Sequence, residues 1–309
     1  MAAKGCLRLL IGVIGAVVVT AMPVSYGKLA KVDKEAMRYL QKFGYLSSSE
    51  GSSKELEVAI KRFQRELGFE ESGQLTGELR EMMKLTRCGN RFEEDTPVDG
   101  STHQNNPLRG RRTRRFVPHR RRWSYTDLYW RLEDPQNLLQ SYDKYIIRNT
   151  LHRAFELWSG ATQRGLSFTE LLDPKDGNAH IRVFFADGPH NDSLPFDGPD
   201  GVVAHGFYPT DGNLHFDVSE KWTLNVGKGV NLYQATVHEI GHLLGLKHSA
   251  DHSAVMYPIT RPYSPQFKLT VDDVRGVRYL YTPWAWRYYF EQYRKRWSDD
   301  RRKLLRKTS

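Results

Sequence analysis

His238-Glu239-Ile240-Gly241-His242 sets two imidazoles four residues apart, with a carboxylate beside the first. On a helix that spacing puts both rings on one face, a turn apart, where they can share one tetrahedral Zn²⁺. Gly245 then breaks the helix and lets His248 swing back to the same point. Three histidines leave the fourth position of a tetrahedral ion open, which marks a catalytic and not a structural site. Glu239 is placed to take a proton from water there and pass it to a leaving amine. A solvated histidine-rich helix is the plainer reading of the five-residue pattern, and its extension to His248 argues against that reading.

The only cysteines are Cys6 and Cys88. Cys6 falls in an N-terminal stretch where Lys4 and Arg8 precede an uncharged apolar run, Leu9 to Val19, followed by small residues around Ser25 and Gly27. This is the layout of a secretory signal over residues 1–27, with an uncleaved anchor as the alternative; either exports the rest of the chain. Cys88 would then be an unpaired thiol in an oxidising compartment. A buried small hydrophobe and a metal ligand are its two readings.

The elements that must position these groups are partly legible. Ala36, Leu40 and Phe43, then Leu56, Ile60, Phe63 and Leu67, then Leu79 and Met82 give three short amphipathic helices joined by Ser- and Gly-rich loops. A polar linker from Glu93 to Gly110 ends in Arg111-Arg112-Thr113-Arg114-Arg115. Beyond Trp123 we expect a strand at Leu128 to Leu132, a helix at Ser141 to Ser159, a strand at Ala179 to Ala186, a loop-rich section from Asp187 to Asp217, and helices at Leu232 to Leu244 and Val271 to Tyr281. The composition, 39% hydrophobic and 12% aromatic, supports a packed core. The net charge of +10 gathers at Arg109 to Arg122 and after Trp284, so it speaks of processing or an anionic surface; no nucleic-acid partner is read from it. From Trp284 to Ser309, nine Lys or Arg stand against three Asp or Glu, interleaved with aromatics. That tail could dock on glycosaminoglycan or membrane, or pack its aromatic face on the preceding domain.

His238 to His248, followed by Ala254-Val255-Met256-Tyr257-Pro258, resembles the long zinc motif and Met-turn of the metzincin clan, and the region before it narrows the resemblance to matrix metalloproteinases. The resemblance implies an α+β fold: a metzincin-type catalytic domain, with a mixed twisted sheet and helices, over residues 116–283, preceded by a small three-helix propeptide bundle within residues 28–115. It implies a secreted zinc endopeptidase of extracellular or matrix proteins, collagen among the family's substrates, made as a latent monomeric zymogen. His190, Asp192, His205 and His215 match the family's structural zinc site, which makes two Zn²⁺ with the catalytic one. Asp197, Gly198, Asp200, Val202, Asp217 and Glu220 match a Ca²⁺ site, so at least one Ca²⁺ is expected. A second calcium site is expected to be lost, since His180 stands where the family has Asp and the loop between His205 and His215 is short.

The same resemblance places substrate along an edge strand at Gly201 to His205, with a pocket bounded by Val203, Ala204, Gln234, Met256, Tyr257 and Pro258. Gln234, where the family often carries Leu, would shorten or wet that pocket. In the propeptide, Phe63-Gln64, Gly68, Gly73, Leu75 and Arg87-Cys88-Gly89 follow the family's order, which makes Cys88 the fourth catalytic-zinc ligand of the latent form. The family's motif also has Pro before the Arg and a bracing Asp after the Gly. Here Thr86 precedes, Asn90, Arg91 and Phe92 follow, and the nearest acids in sequence are Glu93, Glu94 and Asp95, so the brace is expected to be shifted or gone and latency to leak. Arg112, Arg114 and Arg115 fit a proprotein-convertase site that would free Phe116, whose ammonium would pair with Asp272 or, failing that, Asp273. Tissue inhibitors of metalloproteinases are partners the family implies. The tail is too short for the family's hemopexin-like propeller, so a minimal type is expected, without cleavage of native triple-helical collagen. The sequon Asn191-Asp192-Ser193 is expected to stay unglycosylated between two zinc ligands.

Overall fold

The structure, a computed structural model, describes residues 31–47, 52–94 and 116–282. The signal stretch, the arginines at 112–115 and the tail from 284 lie outside the described residues. Three helices come first: α1 (Lys31–Lys42), α2 (Ser53–Glu66) and α3 (Gly77–Met82). Ser52 and Glu55 start α2 with a capping box, each side chain accepting the other's backbone N–H. Leu40, Phe43, Tyr45, Ile60, Phe63 and Leu67 form the bundle core. That core also takes in Ala186, Phe196, Val202, Tyr257 and Ile259 from the following domain. A unit this small buries too little apolar surface alone, and packing over the neighbouring domain supplies more.

The chain then crosses that domain as a short strand, β1 (Arg87–Cys88), before the linker. After it come β2 (Asp127–Leu132), α4 (Ser141–Ala161), β3 (Ser167–Glu170), β4 (Ile181–Ala186), β5 (Val202–Gly206) and β6 (Asn213–Asp217). A small pair, β7 (Trp222–Thr223) and β8 (Val230–Asn231), leads into α5 (Leu232–Leu243), and α6 (Val271–Tyr281) ends the domain. The six-stranded sheet runs β1-β5-β6-β4-β2-β3. All its pairings are parallel except β5 with β6, so β5 is an antiparallel edge, and β1 lies along its open side. α4 is the crossover that a parallel β2–β3 pair requires. Its Ile147, Leu151, Ala154, Phe155 and Trp158 are buried at helical spacing, and the Trp158 indole donates to the Val237 carbonyl at 2.9 Å, fixing α5 across it.

The helices fall where the apolar periodicity places them. The strands do so less well: β4 begins at Ile181 instead of Ala179, and the section expected to be loop-rich contains β6 as well as β5, the edge strand that the resemblance placed at Gly201 to His205. β5 is buried along its whole length and so lacks the alternation that betrays a half-exposed strand. β3, Ser-Phe-Thr-Glu, offers a single large apolar residue.

Candidate active site

Asn231 caps α5 by accepting the Gln234 N–H at 3.0 Å, and the helix stops at Gly245, whose φ of +92° suits a residue without Cβ. Asp273 completes the capping box of α6 with the N-cap Thr270 and also accepts the backbone N–H groups of Val255 and Met256 at 3.0 and 3.1 Å. One carboxylate thus seats the Met-turn. Met256 lies directly under α5, where a Cβ on Gly241 would stand 2.2 Å from its Sδ. This explains the glycine between the two histidines. Gly241→Ala should therefore lower the stability of the processed domain by about 1–3 kcal/mol as an overpacking change, read as a fall in Tm with zinc saturating; an unchanged Tm would show that Met256 yields freely.

The Nδ1 of His238 faces the Val255 carbonyl at 2.7 Å, and that of His242 faces the Leu246 carbonyl at 2.7 Å. Both Nδ1 atoms must therefore carry the hydrogen, which leaves bare lone pairs on Nε2. Those two Nε2 atoms stand 3.1 Å apart. Two acceptors at that distance repel unless a cation lies between them. His248 adds a third: its Nδ1 lies 2.8 Å from Glu66 Oε1, and its buried Nε2 has no hydrogen-bond partner. Burial also holds His238 down at about 3 and His242 well below its usual range, so these two rings are neutral, as metal ligands must be. Cys88 Sγ completes the set, 3.4 Å from His242 Nε2, and the four ligand atoms all lie within 4.8 Å of one another. This donor set fits Zn²⁺.

Glu239 Oε2 is 3.6 Å from Cys88 Sγ. Burial lifts the Glu239 carboxyl to about 8, and burial together with the Glu239 charge pushes the Cys88 thiol up. A dication among them reverses both tendencies.

The second predicted cluster also assembles. Asp192 Oδ2 lies 3.0 Å from His190 Nε2, 3.0 Å from His205 Nε2 and 2.8 Å from His215 Nδ1. His190 gives its Nδ1 hydrogen to the Gly188 carbonyl at 2.7 Å, so its Nε2 presents a lone pair. Four donors with no open side fit a closed zinc site. Asn191, at φ +67°, turns the chain between two of them, which leaves the sequon on a pinned loop.

The predicted calcium residues lie around the turn before β5 and the end of β6. Asp217 is fully buried with Oδ2 unpartnered, and Glu220, pushed up by burial, accepts the Gly201 N–H at 3.3 Å. Asp197 accepts the Val202 N–H at 2.8 Å and pairs with Lys42 of α1. The pocket differs from expectation. Val203, Gln234, Tyr257 and Pro258 line it, with Arg261 and Phe267, whereas Met256 lies beneath α5 and does not reach it. Ala204 serves through its backbone, accepting the Gly89 N–H at 2.8 Å. Gln234 is fastened at both ends, to the Pro262 carbonyl at 3.2 Å and the Ser264 N–H at 2.7 Å, so its amide ties the far loop to α5.

The brace of the cysteine loop lies elsewhere in the chain. Glu93 pairs with His119 and Lys247, and Glu94 with Arg62 and Arg65, so neither supplies it, and Asp95 lies outside the described residues. The guanidinium of Arg87, 1% exposed, sits over the Phe43 ring, receives support from the hydroxyls of Tyr39 and Tyr45 at 2.9 and 3.0 Å, and pairs with Glu66 at 3.4 Å. The Asn90 side-chain amide donates Nδ2–H to the Gly206 carbonyl at 2.7 Å and accepts the Gly206 N–H on Oδ1 at 3.1 Å. Only one sequence signal pointed to Glu66: an acid in the last turn of a helix opposes the helix dipole and calls for a partner.

The matrixin (Peptidase_M10) family model matches residues 122–282. The chain belongs to the matrixin family. Metalloendoproteinase 1-MMP of Arabidopsis thaliana is 37% identical over 262 residues, covering 81% of this chain and 68% of that protein. Hatching enzyme of Paracentrotus lividus is 33% identical, covering 79% and 38%. Stromelysin-3 of Homo sapiens is 40% identical over 210 residues, covering 65% of this chain and 38% of that protein. This matrixin is a zinc metalloendopeptidase, with the mixed sheet and helices of the family's catalytic domain. Among the described residues, no helix is long and apolar enough to cross a membrane.

Proposed function

We propose that the chain is a secreted endopeptidase of extracellular proteins, latent until its propeptide is cut away. The observation that carries this reading is the path of residues 86–89. Arg87 N donates to the Gly201 carbonyl at 3.1 Å, Gly89 N to Ala204 at 2.8 Å, and Cys88 N to Pro258 at 3.1 Å, while Thr260 N donates to the Thr86 carbonyl at 2.9 Å. The propeptide strand is thus bonded on both sides, filling the groove an extended peptide would occupy. Gly89 fits there because a Cβ would meet Val202 at 2.5 Å.

Zinc, held by His238, His242 and His248, would polarise the scissile carbonyl and lower the pKa of water. With Cys88 withdrawn, Glu239 takes the proton and delivers it to the leaving amine, β5 holds the substrate backbone, and the pocket beside Gln234 receives a side chain. His190, Asp192, His205 and His215 hold the second zinc, and the loop around Asp217 and Glu220 a calcium. Phe116 already lies against α6: its backbone hydrogen-bonds Asp272, and its ring stands 5.9 Å from Tyr279. Asp273 is committed to the Met-turn, so Asp272 is the partner for an ammonium freed by cleavage after Arg115.

Arg115→Ala should make secreted material accumulate at precursor size in cells with active convertases. The wild-type protein processed there should digest a peptide library, with products reporting the pocket beside Gln234. An unchanged mature band would move the processing site toward Arg122, and a processed protein with no products would sink the functional reading.

A further inference from the structure

The three rings of the main metal cluster are not held alike. His238 and His242 are fixed through Nδ1 by carbonyls of their own domain, Val255 and Leu246. His248 is fixed by a carboxylate of the propeptide, Glu66 at 2.8 Å, 182 residues away in sequence. Glu66 is the last residue of α2, buried, at the helix end where the dipole opposes a negative charge. It is a poor choice for stabilising the helix, and its surroundings show what it does instead. Oε1 takes the hydrogen of His248, and Oε2 faces the Tyr45 hydroxyl and the Arg87 guanidinium. Contact at this end is close: Gly68, just past α2, has no room for a Cβ, which would stand 2.5 Å from the Ala250 carbonyl.

Resting on the latent-precursor reading, we propose that Glu66 is a second latch: a positioning residue through which the propeptide holds the metal ligand His248 from outside the coordination sphere, separately from Cys88. Partners of this kind orient a ligating imidazole and raise its basicity, and their loss typically costs 10–100-fold in metal affinity. The precursor should therefore hold its active-site zinc more tightly than the processed enzyme does, by a margin that survives removal of the thiol.

The test measures transfer of the more labile zinc to a chelator from full-length Cys88→Ser precursor, with the convertase-processed protein as reference. Release from the Cys88→Ser precursor should be about 10-fold slower than from the processed form. Adding Glu66→Gln should close most of that gap. Glu66→Asp, which keeps the charge but draws it back by one methylene, should do the same. Tyr45→Phe, which removes the neighbouring hydroxyl from Glu66 and Arg87 but leaves the contact with His248, should not. Equal release from all the precursors, or acceleration by Tyr45→Phe as large as by Glu66→Gln, would overturn the proposal and reduce Glu66 to a brace of the bundle. Failure of the latency reading would show separately, as a wild-type precursor already as active as the processed enzyme.

Discussion

Glu239→Ala should leave both zinc ions bound and the fold intact while hydrolysis falls by about 10²–10⁴-fold, the range that general acid–base catalysis supplies. The geometry separates the two roles. Glu239 is 1% exposed and faces the Cys88 Sγ, yet the cluster of mutually close ligand atoms is complete without it. Its removal deletes a proton carrier and no ligand. Metal content beside turnover is the measurement: zinc lost together with activity would make Glu239 structural.

Cys88→Ser should raise the activity of the uncleaved precursor toward that of the processed form. A hydroxyl is a far weaker zinc ligand than a thiolate, so water regains the position that Glu239 must serve. Reading the motif alone, with its missing Pro and Asp, predicts a loop whose hold is already weak. In the structure, Arg87 is clamped by Glu66, Tyr39 and Tyr45, and the Asn90 side-chain amide bonds to the Gly206 backbone. Little basal activity is therefore expected from wild type, and mercurials should release it. A precursor as active as the processed enzyme, with Cys88 freely alkylated while zinc is bound, would contradict both points.

What the chain revealed beforehand follows from the range of its interactions. The metal helix, its capping and its glycine stop are local, so His238, Glu239, His242 and His248 could be placed with no knowledge of the fold. The helical bundle was legible for the same reason, since its apolar faces repeat within single helices. The short β3 and β6 were not, because their pairing is decided by neighbouring strands, and β5 was expected only through the family resemblance. Glu66 was out of reach for a stronger reason. Its partners Arg87 and His248 lie 21 and 182 residues away, and no local pattern joins them. The position of Met256 under Gly241, and not in the pocket wall, is likewise a fact of packing that motif order leaves open.

The central claim, that the propeptide closes the zinc site with sulfur, is tested most directly by zinc K-edge absorption on the precursor before and after cleavage at Arg115. The precursor should show one sulfur, at about 2.3 Å, shared over two zinc ions, with the remaining ligands nitrogen and oxygen. The processed protein should show none. A precursor whose zinc sees only nitrogen and oxygen would contradict the account, since Cys88 would then lie beside the metal without binding it.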